Sequence, residues 1–325
     1  MNTMASYITR RVIHALLLLF GISVLSFLFL DLAPGDYFAE ARLDPRISAQ
    51  TVAAMRTQYG LERSLPVRYG RWVQSVWHGD FGVSMAYNLP ASQLLSVRIR
   101  NTLLLTLAAL AITWALGVPL GIWSALRRGR WPDRIIALVT SSLLTIPELL
   151  LACAALWFVA RSGYLPAGGM VSAGFEHMDK LHQASDILRH MLLPVTVLAA
   201  GSLPLLVRHV RAGVIDAMGS SFVVAGRANG IAESRLMRRY VLRSAANPLI
   251  NLMGLQLGTL LSSSLLVEAI TGWPGLGTLF LDAVTARDVH LIIAPVVLSA
   301  AFLTTGSLIA DLLLYACDPR IRVEK

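Results

Sequence analysis

Charged residues are scarce in this chain, and lysine is the rarest of them. Lys180 and Lys325 are its only lysines, and charged residues of all kinds make up 14% of the 325 residues, against 55% for apolar residues. A soluble domain carries about 25% charged residues, so the composition excludes an ordinary soluble domain. A mean hydropathy of +0.63 also excludes a disordered chain. The composition therefore indicates a membrane protein.

Cysteine and the common catalytic motifs are also lacking. The two cysteines, Cys153 and Cys317, are too few for a disulfide framework or a zinc cluster. Neither lysine follows a glycine or precedes a serine or threonine, so the sequence has no Walker loop for nucleotide phosphates. The motifs His-Glu-x-x-His and Gly-x-Ser-x-Gly are absent as well. The sequence predicts no catalytic residues, no metal site and no cofactor held by this chain.

Six uncharged or nearly uncharged runs are long enough to cross a bilayer. A hydrocarbon core of about 30 Å requires roughly 20 helical residues. The runs cover residues 12–30, 101–126, 135–160, 191–207, 244–267 and 289–310. The fourth run is the shortest, with 17 residues, and the third is interrupted by Glu148. The predicted fold class is an all-α membrane protein with six transmembrane helices.

The arginines predict the orientation of these helices. With a cytoplasmic N-terminus, Arg10, Arg11 and the basic clusters at 127–134 and 208–243 all lie inside, as the positive-inside rule requires. The short outer connections carry few positive charges. We therefore expect both termini to be cytoplasmic. The first run has 19 residues, more than the roughly 7–15 of a signal-peptide core, so we expect an uncleaved helix.

Two connections are too long to be simple turns. Residues 31–100 form an external segment, and residues from about 208 to 247 form an arginine-rich cytoplasmic loop between the fourth and fifth helices. The chain therefore divides into a cytoplasmic N-terminus with the first transmembrane helix (1–30), the external segment, and a five-helix core (101–325).

The external segment contains two predicted helices. The first covers about 48–59 and is stopped by Gly60. The second places four apolar residues on one face, namely Trp72, Val73, Val76 and Trp77. This segment is either an amphipathic cap on the membrane surface or a docking surface.

The cytoplasmic loop resembles a known element. Residues 222–231 read Phe-Val-Val-Ala-Gly-Arg-Ala-Asn-Gly-Ile, and residues 240–248 read Tyr-Val-Leu-Arg-Ser-Ala-Ala-Asn-Pro. This pattern resembles the coupling loop of ABC-importer permeases, and it is closest to the dipeptide/oligopeptide (peptide/nickel) permease family. Other segments similar to that family occur in the same order along the chain, at 60–66, 79–84, 100–105, 117–122, 165–168, 190–194, 273–277 and 318–322.

Two departures from the family pattern concern the same loop. Val224 begins a Val-Ala-Gly sequence where the wider importer motif often begins Glu-Ala-Ala. Tyr240 and Ser244 stand where the family usually has histidine and asparagine. These differences concern finer contacts of the loop.

The resemblance implies a function. The chain would be one permease of an ATP-driven importer for peptides or similar small solutes, in the bacterial inner membrane, and would form half of the translocation path. Its partners would be a second permease, two cytoplasmic ATPases that use ATP and Mg²⁺, and an external solute-binding protein, with no nucleic acid involved. The cargo stays open among dipeptides, longer peptides, nickel chelates and sugars. The alternative is a self-sufficient channel or secondary transporter, which would need charged or discontinuous elements along its own pore.

The resemblance also implies which residues couple to the ATPase. They are Ala225, Gly226, Arg227, Ala228, Gly230, Glu233, Arg235, Arg238 and Arg239. Gly230 is suited to a turn because glycine accepts positive φ, and the arginines supply charge for a polar groove on the partner. Pro248 is expected near the first turn of the next helix. The alternative is that these arginines only fix the topology.

Three residues are candidates for the translocation path. A charge at the centre of a span costs about 2.5–3.5 kcal/mol on insertion scales, so we expect Glu148 to line the path or to pair across a subunit interface rather than to pack in a neutral form. Ser262 and Ser263 either line a polar path or bond within their own helix. Gly117 and Gly121 permit close helix packing, within this chain or against a second permease.

Overall fold

The computed structural model describes residues 2–32, 48–58, 60 and 62–317. Within them, twelve α-helices and no β-strand are present. The helices are α1 (Asn2–Leu32), α2 (Ala49–Gln58), α3 (Leu65–Trp77), α4 (Ala91–Leu126), α5 (Trp131–Thr145), α6 (Glu148–Ser162), α7 (Lys180–Met218), α8 (Ser221–Ala228), α9 (Glu233–Leu236), α10 (Leu242–Thr271), α11 (Leu276–Ala286) and α12 (Val289–Cys317). The family-like segment 318–322 and Tyr59, where the first external helix was expected to end, lie outside the described residues.

The number of spans agrees with the sequence. Among the described residues, five helices are long and apolar enough to cross a membrane singly, and α5 and α6 form a bent pair that can count as a sixth span. The shortest predicted run, 191–207, is the middle of α7, which is 39 residues long. The expectation of an all-α membrane protein with six spans is confirmed.

The third span is not a continuous helix. α5 ends at Thr145, α6 begins at Glu148, and the two helices are bent by 100° relative to each other. Ile146 has an extended conformation, with φ −88° and ψ 119°, because the ring of the following Pro147 disfavours a helical residue before it. The prediction of an uninterrupted helix over 135–160 is therefore wrong at its centre, and Glu148 lies in the first turn of α6.

The chain forms two compact units. The core unit contains Leu103–Trp273 and α12 from Phe302 onwards, and the N-terminal unit contains residues from Met4 to Thr102 together with Pro274–Ala301. α4 is 36 residues long and begins at Ala91, ten residues before the apolar run that predicted it, because residues 91–100 continue the helix although they are partly polar.

Close helix packing in the core unit depends on glycine. A Cβ on Gly117 would lie 2.7 Å from Leu206, and a Cβ on Gly121 would lie 2.6 Å from Val210. Both distances are shorter than a normal van der Waals contact, so only glycine permits this approach of α4 to α7. Leu206 and Val210 are fully buried there. The small-residue stripe on α4 therefore serves packing within the chain.

Two buried polar groups tie the same helices together. Gln256 on α10 accepts a hydrogen bond from Trp114 Nε1 at 2.8 Å and donates to the Ser202 carbonyl at 3.3 Å. The carboxylate of Asp133 accepts bonds from Arg211 Nε at 2.7 Å and Nη2 at 2.9 Å, from Ser124 Oγ at 2.5 Å, and from the Gly129 amide at 2.8 Å. A buried carboxylate is stable only with such partners, so this cluster fixes the start of α5 against α7.

In the N-terminal unit, α3 packs against α1. Phe27 lies with its ring centroid 5.3 Å from those of Tyr69 and Trp72, and Tyr69 and Ser23 share a hydrogen bond of 2.9 Å. The Trp72 face of α3 is therefore occupied by α1 rather than by a membrane surface. Trp77 does not belong to that face and is 86% exposed, because five residues of helix place it about 140° around the axis from Trp72.

A buried carboxylate also anchors the loop between α3 and α4. Asp288 precedes α12 and is fully buried, and its Oδ2 accepts bonds from Ser84 Oγ and the Met85 amide at 2.7 Å and from the Ala86 amide at 3.0 Å. Three donors separated from Asp288 by about two hundred residues of sequence thus converge on one oxygen atom. This interaction holds the loop in place on the N-terminal unit.

Replacing Asp288 with alanine should release this loop. Each hydrogen bond to a charged group contributes about 1.5–3 kcal/mol, and the buried donors would lose their partner, so we expect a local destabilisation of about 2–4 kcal/mol. Limited chymotrypsin cleavage after Phe81 measures the opening. Asp282→Ala is the matched control, since among the residues that the structure describes that exposed carboxylate accepts only the Tyr87 hydroxyl bond. Equal cleavage rates in the two variants would contradict the anchoring role.

Candidate functional site

The connection between α7 and α10, residues 219–241, forms a helical elbow. α7 continues beyond residue 208 and ends at Met218. α8 and α9 follow, separated by a turn at Gly230, and one π-helical turn at Met237–Val241 leads into α10. The loop predicted at about 208–247 is therefore almost entirely helical.

The turn between α8 and α9 requires a glycine. Gly230 has φ +74°, as the sequence predicted, and its amide donates to the Arg227 carbonyl at 3.0 Å. The Ile231 amide donates to the Gly226 carbonyl at 3.1 Å, and the Asn229 side chain donates to the Ala225 carbonyl at 2.9 Å. A Cβ on Gly230 would contact nothing within 4 Å. The constraint on this position is therefore its backbone conformation and not space.

A second glycine in the elbow is required for packing. A Cβ on Gly226 would lie 2.6 Å from Leu236 Cδ2, and Leu236 is buried. α8 and α9 therefore meet directly at this pair. Ala225 and Ala228 are exposed on α8, together with two larger apolar side chains, Phe222 and Val224.

Sequence reasoning did not select Phe222 and Val224 as site residues. Exposed apolar side chains on a water-facing connection are typical of contact surfaces. Their position in an arginine-rich loop between two spans was the available signal.

Arg227 and Glu233 close the elbow with a two-point ion pair. Arg227 Nε lies 2.9 Å from Glu233 Oε2, and Nη2 lies 2.5 Å from Oε1. Hydrogen bonding with Arg227 lowers the pKa of Glu233, and the same bond raises the pKa of Arg227. Arg227 therefore braces the elbow internally, whereas the sequence analysis expected all the arginines of this region to face a partner.

The other three selected arginines are arranged differently. Arg235, Arg238 and Arg239 are exposed and, with Ser234, line one shallow cavity of about 300 Å³. Three guanidinium groups around this one cavity form a concentrated positive surface. Such a surface suits an acidic or polar partner.

Pro248 lies deeper in α10 than the sequence suggested. α10 begins at Leu242, so Pro248 is its seventh residue and lies in the second turn, one turn further in than a proline at the helix start. The helix begins directly after the π-helical turn.

Glu148 and Ser263, two of the predicted path residues, are in contact. The Ser263 hydroxyl lies close to the Glu148 carboxylate, and a Cβ on Gly201 would lie 3.3 Å from Glu148 Oε1. Glu148 thus meets α10 and α7 at the break of the third span. Ser262 is exposed and donates to the Gly258 carbonyl of its own helix at 3.2 Å.

Neither region offers metal ligands. Among the described residues, no three His, Cys, Asp or Glu side chains are grouped so that they could hold a metal ion. The groups that these two regions present are charged and apolar side chains in the elbow and one carboxylate at Glu148.

Comparison with known proteins gives the family. Residues 117–323 match the binding-protein-dependent transport system inner membrane component, and residues 4–106 match the N-terminal region of the same type of component. The oligopeptide transport system permease protein AppB of Bacillus subtilis is 34% identical, over 98% of this chain and 99% of its own length. The glutathione transport system permease protein GsiC of Salmonella paratyphi A is 33% identical, over 98% of this chain and 99% of its own length.

Solved structures show the same fold at lower sequence identity. A chain of the MetNI methionine ABC transporter in an inward-facing conformation has a TM-score of 0.57 and 18% identity, over 70% of this chain and 97% of its own. A chain of an amino acid ABC transporter crystallised with histidines has a TM-score of 0.51 and 19% identity, over 70% of this chain and 95% of its own. From the match over residues 117–323 and the full-length similarity to the two permeases, the chain is a member of the binding-protein-dependent transport system inner membrane component family, a multi-pass permease of the ABC transporters.

Proposed function

We propose that this chain is one of two permease subunits in an ATP-driven importer for peptides or similar small solutes. The elbow is the observation that carries the proposal: a compact helical unit with an exposed apolar and basic surface, joined at both ends to membrane-spanning helices. The relatives support the cargo class, because AppB is named for oligopeptides and GsiC for glutathione.

The elbow can transmit force because it is braced from within. The contact between Gly226 and Leu236 and the ion pair between Arg227 and Glu233 hold α8 and α9 together. α7, one helix of about 58 Å at 1.5 Å per residue, leads directly into it. Movement of a partner against α8 is therefore passed to α7 and α10 as a unit.

The chain works with separate partners. ATP and Mg²⁺ are bound by two cytoplasmic ATPase subunits that dock on the elbow, a second permease completes the path, and an external binding protein delivers the cargo. Both termini lie in the cytoplasm, as does the elbow. Glu148, Ser262 and Ser263 contribute to this subunit's half of the path.

One observation favours the alternative of a secondary transporter. The third span is discontinuous at Ile146 and Pro147 and presents Glu148 there, which is an arrangement used at the substrate sites of such transporters. ATP dependence separates the two functions. Uptake into proteoliposomes that requires the ATPases and hydrolysable ATP supports the importer, and uptake by the isolated chain driven by an ion gradient overturns it.

Gly230→Val should uncouple ATP hydrolysis from transport. A β-branched residue at φ +74° is strained by about 1–3 kcal/mol, so the turn between α8 and α9 should distort while the membrane helices remain intact. We expect normal membrane insertion, reduced ATPase co-purification and little uptake per ATP hydrolysed by the reconstituted complex. Gly230→Asn is the control, since asparagine tolerates positive φ, and it should keep most of the uptake. Full coupling in the valine variant would refute the role of the turn.

Reversing the charge of Arg238 and Arg239 should weaken ATPase docking. Arg238→Glu with Arg239→Glu places negative charge at the cavity, where it should repel an acidic partner surface. Contacts between exposed charges are screened by salt over about 8–10 Å at physiological ionic strength. The ATPase should therefore be retained less well by the purified permease pair, and the loss should change with ionic strength. Arg127→Glu with Arg128→Glu makes the same change of net charge at another exposed pair. If both double variants retain the ATPase equally, the elbow arginines serve only topology.

A further inference from the structure

A groove between α5 and α7 in the core unit contains an open cavity of about 720 Å³. Apolar and polar side chains both line the cavity, and the polar ones include Ser141, Arg208, His209 and Arg211. Neither the coupling elbow nor the packing of the core unit accounts for a cavity with this lining. The contacts between the two helices show how the cavity lies relative to Glu148.

The two helices run antiparallel along the groove. Asp133 at the start of α5 binds Arg211 near the end of α7, and Glu148, just after α5, meets Gly201 ten residues earlier on α7. The cavity and Glu148 are therefore at opposite ends of the same helix pair.

Helical periodicity extends the exposed faces of both helices from the cavity toward Glu148. On α7, residues 201, 205, 208 and 212 recur on one face and are all exposed. On α5, residues 137, 141 and 144 are likewise exposed, and Glu148 follows four positions after residue 144. Seven residues of helix separate Gly201 from Arg208, which is about 10 Å along the axis.

The two ends carry opposite charge. Arg211 is engaged by Asp133, but Arg208 has no hydrogen-bond or ion-pair partner in the part of the chain that the structure describes, and its side chain is exposed. His209 also lines the cavity, and its Nδ1–H donates to the Leu205 carbonyl at 2.8 Å. At the other end, Glu148 supplies a carboxylate whose contact within the core unit is a serine hydroxyl.

We infer that this groove is a cargo-contact site with two poles, which takes a short peptide with free termini. Resting on the proposed function, the assignment places the peptide ammonium group at Glu148 and its carboxylate at Arg208. An extended chain rises about 3.3 Å per residue, so the rise of about 10 Å along α7 from Gly201, beside Glu148, to Arg208 matches about three peptide residues. Lipid tails would leave both poles without polar partners, at a cost that makes a lipid-facing carboxylate rare.

The first test measures whether the groove is aqueous and electropositive at the cavity. In a background without Cys153 and Cys317, Ser141→Cys in the assembled complex is treated with anionic sulfonatoethyl and cationic trimethylammonioethyl methanethiosulfonate. Adding Arg208→Gln should lower the ratio of the anionic to the cationic reaction rate about fivefold, as expected for removing one charge at about 8 Å in water. Val139→Cys is the control, because Val139 is 50% exposed on the opposite face of α5, and it should not react with either reagent.

The second test addresses the cargo. Trialanine should slow the labelling of Ser141→Cys, whereas N-acetyl-trialanine amide, which lacks both terminal charges, should not. Glu148→Gln should remove the protection by trialanine, measured as the ratio of the labelling rates with and without peptide in the same variant. Labelling without charge preference, labelling equal to that of Val139→Cys, or equal protection by the two peptides would each overturn the assignment. ATP dependence of uptake, measured on the same proteoliposomes, reports separately on the proposed function.

Discussion

The close approach of α4 to α7 is the constraint on which the core unit depends. Gly117 and Gly121 bring the α4 backbone against Leu206 and Val210, and no larger residue fits there without displacing one of the two helices. α7 is thereby held along the same stretch that faces α5 and that leads into the elbow. A single pair of glycines thus fixes the helix that leads from the core unit into the elbow.

Buried polar groups fix how these closely packed helices are oriented relative to one another. Dispersion forces and packing hold helices together in a bilayer, but they specify rotation poorly, whereas hydrogen bonds are directional. Gln256 binds both Trp114 and the backbone of Ser202, so α10 has one orientation relative to α4 and α7. Asp133 gives α5 the same kind of orientation through Arg211. The site near Glu148 is therefore assembled by groups that lie one or more helical turns away from it.

The sequence predicted the features that local chemistry determines. The six spans follow from hydrophobic length alone, and the positive φ of Gly230 follows from a glycine between two helix-forming segments. The break before Glu148 also has a local cause, which is Pro147. The sequence analysis missed it because the span was predicted from hydropathy, which does not depend on whether a residue has a backbone N–H.

Other features depend on tertiary contacts that a single sequence does not reveal. The pairing of Arg227 with Glu233, the burial of Asp288 by a loop two hundred residues earlier, and the exposure of Trp77 each require knowledge of which elements meet. The groove between α5 and α7 belongs to this class as well, since Arg208 appeared in the sequence only as one of several basic residues at the inner boundary.

The broken third span has a consequence for biogenesis. α5 and α6 have 15 residues each, so each is about 22 Å long, shorter than the roughly 30 Å of hydrocarbon that a helix must cross. Between them, the extended conformation of Ile146 and the missing N–H of Pro147 interrupt the helical hydrogen bonding, and such a break needs protein or water around it. This segment therefore cannot be released into lipid as a finished helix when it leaves the translocon. It has to wait for α7 and α10, synthesised later, so the order of synthesis and the order of membrane integration differ in this protein.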